Sequence, residues 1–218
     1  MRSGVVLTSL LLVKLASAGA TPAVDAIRQS VVPCDRARTY CFAIHLHVAA
    51  APSGADGLVV APDWVARQVA TANAHFARLD VAFQIERVTA LPVEAAHLRT
   101  RKERSALGTR TSKRVIDVFI TGQLDDVDAP GEIARGVTWR NGTRKFIIVS
   151  AVARDLVLAH ELGHYFGLPH STYPISLMNK TKRDAPPLEE RTFHDDEYAK
   201  MGPVLRRFVE TKVLTNRR

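Results

Sequence analysis

One stretch constrains this chain more than any other. Residues 160–170 run His160-Glu161-Leu162-Gly163-His164-Tyr165-Phe166-Gly167-Leu168-Pro169-His170, the pattern H-E-x-x-H-x-x-G-x-x-H. His160 and His164 stand four apart, so on a helix their rings leave one face about one turn apart. Glu161 follows the first imidazole and can reach a water on a shared metal without being a ligand itself. A helix should stop at Gly167, because glycine tolerates the left-handed backbone of a helix C-terminus. The chain can then turn and bring His170 back as a third nitrogen donor. Three protein ligands leave the fourth position of a tetrahedral zinc ion open, which separates a catalytic site from a structural one.

Beyond His170 the chain reads Ser171-Thr172-Tyr173-Pro174-Ile175-Ser176-Leu177-Met178. An extended zinc motif followed by such a methionine is the metzincin signature. At these residues the chain resembles the metzincin metallopeptidases, and within them the matrixins, through Ser171 directly after the third histidine, Pro174, and Leu177-Met178. The resemblance implies an α+β catalytic domain with a twisted mixed sheet of about five strands. Two long helices would lie above a deep cleft. A small irregular lower lobe would follow Gly167 and end in a C-terminal helix. It also implies that His160, His164 and His170 bind one zinc ion, that Glu161 is the general base, and that Met178 forms a hydrophobic floor beneath the metal. Matrixins often hold a second, structural zinc with histidines in the region of residues 122–136; that stretch contains none here, so the site is not carried over. Some metzincins place an oxyanion-steadying tyrosine two residues after the methionine. This position is Lys180, so that helper is absent, as in matrixins.

Met1-Arg2, an apolar run from Val5 to Val13, and the small residues Ala16-Ser17-Ala18-Gly19-Ala20 form the pattern of a secretory signal peptide, residues 1–20. The expected mature chain begins at Gly19 or Thr21. The apolar run is too short to span a bilayer and no later segment is apolar enough, so no stable membrane insertion is expected after cleavage. In the exported segment 21–41, Cys34 and Cys41 are the sole cysteines, a pair suited to one disulfide in an oxidising compartment. A matrixin-type propeptide switch at Cys34 would need flanking Arg, Gly and Pro that this stretch lacks. The remainder, 42–218, is long enough for one catalytic domain.

The formal net charge is +8. Much of the excess lies in Arg99, Arg101, Lys102, Arg104, Arg110, Lys113 and Arg114. This run lacks interleaved aromatics, so it reads as a solvated loop or helix face and no nucleic-acid partner is expected. Asp125, Asp126 and Asp128 are possible calcium ligands, but their spacing is not that of an EF-hand, and acidic turn residues are the plainer reading.

Alternation places strands at residues 42–48 and 81–88, and Val115-Ile116-Asp117-Val118-Phe119-Ile120 reads as a third. In the first, Phe42, Ile44, Leu46 and Val48 share one face and His45 and His47 the other, which reads as a partly exposed sheet face. A helix should run from Pro62, and a short basic one from Val93 to about Leu107. Residues 136–140 and 145–149 form a hairpin with its turn at Asn141-Gly142. The helix bearing the zinc motif should start near Val152, and a last helix should span Asp195 to Lys212. Asn141 and Asn179 each begin a glycosylation pattern, relevant only in a eukaryotic secretory route.

The expected function is secreted, zinc-dependent hydrolysis of peptide bonds in proteins by a monomer, with Glu161 activating the metal's water. Substrate would lie extended along the edge strand Gly136 to Arg140. By resemblance, Lys180, Lys182 and Arg183 border the pocket for the residue after the cleaved bond. The alternatives are an inactive, zinc-stabilised binding module of the same fold, and a zinc hydrolase acting on another bond. An intact Glu161 argues against the first, because a non-catalytic site has no use for that carboxylate.

Overall fold

The computed structural model describes residues 22–30, 33–52 and 57–218; the expected signal peptide lies outside the described residues. Its elements are α1 (Pro22–Ser30), β1 (Tyr40–Ala49), α2 (Pro62–Phe76), β2 (Val81–Leu91), β3 (His97–Leu98), α3 (Arg101–Ala106), β4 (Ile116–Thr121), β5 (Gln123–Leu124), β6 (Gly136–Asn141), β7 (Arg144–Ser150), α4 (Val157–Tyr165) and α5 (Asp195–Glu210). Five strands form one mixed sheet in the order β2-β1-β4-β7-β6. The first four are parallel to one another and β6 runs antiparallel to β7. This is the α+β architecture that the sequence implies, with β6 pairing only with β7 within the sheet.

The alternating residues of β1 divide two cores. Phe42, Ile44, Leu46 and Val48 face α2 and α4 with Val118, Ile147 and Val149. The opposite face of the sheet buries Ala49, Phe119, Phe146 and Ile148 beneath Leu98 and Leu107. Residues 93–110 therefore form a cover, broken into 3-10 turns, the two-residue β3 and the short α3, where a single basic helix is expected from sequence. The expectation for His45 and His47 is also corrected: they are buried rather than partly exposed. His45 contacts Ser112 and Glu86, while His47 reaches Asp117 at 3.0 Å and stacks on Phe119. Burying such groups is tolerable only with hydrogen-bond partners, and sequence alternation gives no sign of them.

Three boundaries differ from the sequence reading. The hairpin turns on Gly142-Thr143, with Asn141 still paired to Arg144 and Gly142 at φ +60° in the first loop position. The motif helix α4 begins at Val157 rather than near Val152 and has no side-chain cap of its own. Gln68 of α2 performs that role: its Oε1 accepts from Leu158 N at 3.1 Å and its Nε2 donates to the Arg154 carbonyl. The last helix α5 ends at Glu210, and the chain after it returns to β1, where Arg217 N donates to Cys41 O. Cys34 and Cys41 are joined by a disulfide at that same end of β1, so Cys34 is not a free thiolate that could reach a metal. No helix among the described residues is long and apolar enough to cross a membrane.

Candidate metal centre

Local sequence shapes α4 for its task. Its last turn closes with Gly167 at φ +96°, Gly167 N donating to His164 O and Leu168 N to Gly163 O. That pair of bonds is the Schellman arrangement that a glycine makes accessible. Lys145 of β7 adds two more, its Nζ donating to His164 O at 3.0 Å and Tyr165 O at 2.7 Å. A cation there also complements the negative end of the helix. Burial lowers the Lys145 pKa to about 8. The chain reverses after Gly167 and presents His170 to the helix.

The three expected histidines converge. Each offers one nitrogen, and these atoms lie within 4.8 Å of one another, the one such group of three among the described residues. His164 Nε2 and His170 Nε2 are 3.2 Å apart. Two nitrogens on a tetrahedral zinc ion at about 2.1 Å should lie roughly 3.4 Å apart, so the spacing suits that ion. The tautomers suit it too. His160 Nδ1 donates to Leu177 O at 2.6 Å and His164 Nδ1 to Leu168 O at 2.7 Å, which leaves each Nε2 with a free lone pair. Burial, followed by the neighbouring His160, brings the His164 pKa down to about 4. Burial likewise lowers His160 and His170, with the Lys180 charge adding to the effect at His170. Neutral imidazoles are the form that binds metal.

Glu161 is buried beside this group, and burial pushes its carboxyl up to about 7 against the opposing hydrogen bond from Thr138. Thr138 Oγ1 lies 2.9 Å from Glu161 Oε2 and 2.7 Å from the Glu161 carbonyl oxygen. Gly136 lets the edge strand come this close: a Cβ there would lie 2.9 Å from Glu161 Oε1 and 2.7 Å from Val157 Cγ1. In the sequence Gly136 and Thr138 stand out only as members of a strand. A glycine opening a strand is a sign of close backbone approach and was the available clue for the first; nothing in sequence marked the second.

Met178 is fully buried against α4, at the point where Gly163 has no side chain. Its turn is held from both ends: Met178 N donates to Ser176 Oγ at 2.8 Å, and Ser171 N donates to Met178 O. Ser176 Oγ in turn donates to the buried Glu197 carboxylate of α5. Glu197 also accepts from His194 N in a capping box, a local motif readable in the sequence as His194 and Glu197 three apart.

The acidic loop is engaged by protein groups rather than gathered around a point. Asp125 contacts His97 at 2.7 Å and Gln123, Asp126 accepts from Asp128 N, and Asp128 pairs with Arg101. Arg104, buried under Trp139, donates to the Asp125 carbonyl. Part of the basic run thus serves the loop internally.

A cavity of about 700 Å³ opens beside His160 and Glu161, walled by residues 134–136, 154, 156–157, 176–177 and 179–184. It contains Lys180, Lys182 and Arg183, the residues that the resemblance puts beside a pocket, and also Arg135, Arg154 and Arg191, which no motif marks.

The fold and the triad together define a metzincin-like zinc metallopeptidase. A sequence model of the family described as Matrixin matches residues 43–200, and the chain belongs to that family. No curated protein sequence matches the chain significantly. In three dimensions it is similar to archaemetzincin from Methanopyrus kandleri, with a TM-score of 0.50 and 18% identity over 78% of this chain and 98% of that one. It is also similar to a zinc-dependent peptidase from Methanocorpusculum labreanum, with a TM-score of 0.43 and 16% identity over 72% and 99% of the two chains.

Proposed function

We propose that the protein is a secreted zinc-dependent endopeptidase, with residues 1–20 a cleaved signal peptide, 21–41 a short disulfide-bearing segment and 42–218 the catalytic domain. The observation that carries this reading is the convergence of the three imidazole nitrogens beside a buried Glu161. His160, His164 and His170 hold the zinc ion. When bound, zinc supplies Lewis acidity, which acidifies a water and polarises the carbonyl to be attacked. Glu161 takes the proton of the attacking water and passes it to the leaving amine. Thr138 holds the Glu161 carboxylate in place, and Met178 packs beneath the metal ligands. A substrate strand adds to the open edge of β6, where main-chain hydrogen bonds align it and side chains enter the adjoining cavity. One copy of the chain carries every one of these groups, so the site needs no second copy, in keeping with the expected monomer.

Export is supported by the composition of residues 1–20 and by the disulfide, a bond favoured in oxidising compartments. Intact-mass measurement of the exported protein should give an N-terminus at Gly19 or Thr21. The test of the enzymatic reading is digestion of a protein mixture by the purified, zinc-loaded chain. Internal cleavages should appear, and should vanish with Glu161→Ala. Undegraded mixture would leave the inactive binding module as the better account.

A further inference from the structure

The cavity beside Glu161 is lined by six basic side chains, Arg135, Arg154, Lys180, Lys182, Arg183 and Arg191, against two carboxylates, Asp184 and Glu161 itself. These cations are not equivalent. Arg183 is committed to the loop: its guanidinium donates to the carbonyl oxygens of Pro174, Ser176, Asn179 and Thr181. Arg191 donates to Pro186 O and to Arg183 O. Together they brace residues 174–191 as one wall of the cavity. Arg135, Arg154, Lys180 and Lys182 have no carboxylate partner among the described residues, whose ion pairs all involve other cations. They come from opposite sides, Arg135 and Arg154 from the segments leading into β6 and α4, Lys180 and Lys182 from the stretch after Met178.

We propose that this cavity is an acid-selective subsite, in which Arg154 and Lys180, supported by Arg135 and Lys182, receive the carboxylate of an Asp or Glu side chain flanking the scissile bond. The inference rests on the peptidase reading and names its substrate class. Four unpaired cations facing one concavity repel one another in the free protein, and an entering anion relieves that repulsion while gaining their attraction. The low-dielectric floor, which includes Leu177 and Val157, strengthens both effects relative to open solvent. An apolar side chain entering the same space would displace water from the cations and return nothing, which discriminates against it. His160 and Glu161 line the same cavity as Lys180 and Arg154, so the subsite adjoins the bond to be cut rather than a remote surface.

The test separates binding from cleavage. Fluorescent peptides identical except for one residue beside the cut, Glu or Leu, are titrated into the zinc-loaded Glu161→Gln protein. A third peptide of the same charge carries its Glu several residues away. The Glu peptide should bind at least about 10-fold more tightly than either control, equivalent to roughly 1.4 kcal/mol. That preference should fall below about 3-fold with Arg154→Ala/Lys180→Ala and weaken in high salt. Both residues are exposed, and Arg154→Glu/Lys180→Glu serves as a second variant, expected to favour a Lys peptide. Equal or tighter binding of the Leu peptide, or a preference indifferent to both variants, overturns the proposal. Cleavage of a peptide library by the unmutated protein supplies the other arm. Cuts beside Asp or Glu support the subsite, and cuts beside leucine overturn it while upholding the peptidase. Selective binding without any cleavage upholds the subsite and overturns the peptidase reading.

Discussion

The Thr138 hydroxyl on the edge strand stands between two acceptors of one residue, 2.7 Å from the Glu161 carbonyl oxygen and 2.9 Å from its Oε2. A hydroxyl has one proton and two lone pairs, so it can donate to the ionised carboxylate, or donate to the carbonyl and accept from the protonated carboxyl. Thr138 thus offers Glu161 a partner in either protonation state, on a strand to which substrate is expected to add. Thr138→Val keeps the shape and removes the hydroxyl. Peptidase kcat should fall about 10-fold, in line with losing a hydrogen bond to a charged group, while zinc content stays unchanged. Thr138→Ser should restore most of it. A valine variant with full kcat would remove Thr138 from the mechanism.

Metal binding and catalysis should separate at neighbouring positions of α4. Glu161→Gln leaves the three imidazoles intact, so about one zinc per chain should be retained by elemental analysis. Activity should nonetheless fall on the order of 10²–10⁴-fold, the usual worth of a positioned general base. His164→Ala should lose metal and thermal stability together. Near-normal activity in Glu161→Gln would refute the assigned role.

Gly163 is the contact between the zinc helix and the methionine turn. A Cβ there would lie 2.6 Å from Met178 Sδ and 2.9 Å from Phe193 Cε1, in a region where both partners are buried. Alanine is the better helix former, so helix propensity alone predicts stabilisation. Overpacking should win, and Gly163→Ala should destabilise by about 1–3 kcal/mol in urea unfolding, with lowered zinc affinity because Leu177 O orients His160. A more stable variant would show that the turn yields freely.

In the metal-free protein, Glu161 and His164 should push stability in opposite directions with pH. Burial raises the folded pKa of Glu161 from 4.5 to about 7, so between these values the folded state holds a proton that the unfolded state has lost. Stability from this group therefore falls as pH rises from 4.5 to 7 and is level above. The folded pKa of His164 is depressed from 6.5 to about 4, so its contribution is present above 6.5 and is lost as pH falls towards 4. Glu161→Gln removes the first effect and keeps the second. The chelator-treated variant should gain stability relative to the unmutated chain as pH rises from 4.5 to 7. Parallel urea midpoints for the two proteins across that range would contradict the buried carboxyl.

The placement of the three histidines was legible in sequence, because it depends on spacing along one helix and on the turn that ends it. His160 and His164 share a face by helical period, Gly167 ends that helix because it alone adopts φ +96° there without strain, and His170 follows at a distance the turn requires. The strands were equally readable, as period-two alternation in β1 and as apolar runs in β4 and β7, although alternation did not show that both faces of β1 are buried. Tertiary structure decided what depended on contacts between distant segments. The true start of α4 is set by Gln68, almost 90 residues earlier, so no local cap announced it. His45 and His47 are buried among partners from other segments, Ser112 and Glu86 for the first and Asp117 and Phe119 for the second, which alternation within one strand does not encode. Among the six cavity cations, composition treats every arginine and lysine alike. Which of them brace carbonyl oxygens, as Arg183 does, and which lack a carboxylate partner, as Arg154 and Lys180 do, is decided only by where the folded backbone puts the acceptors.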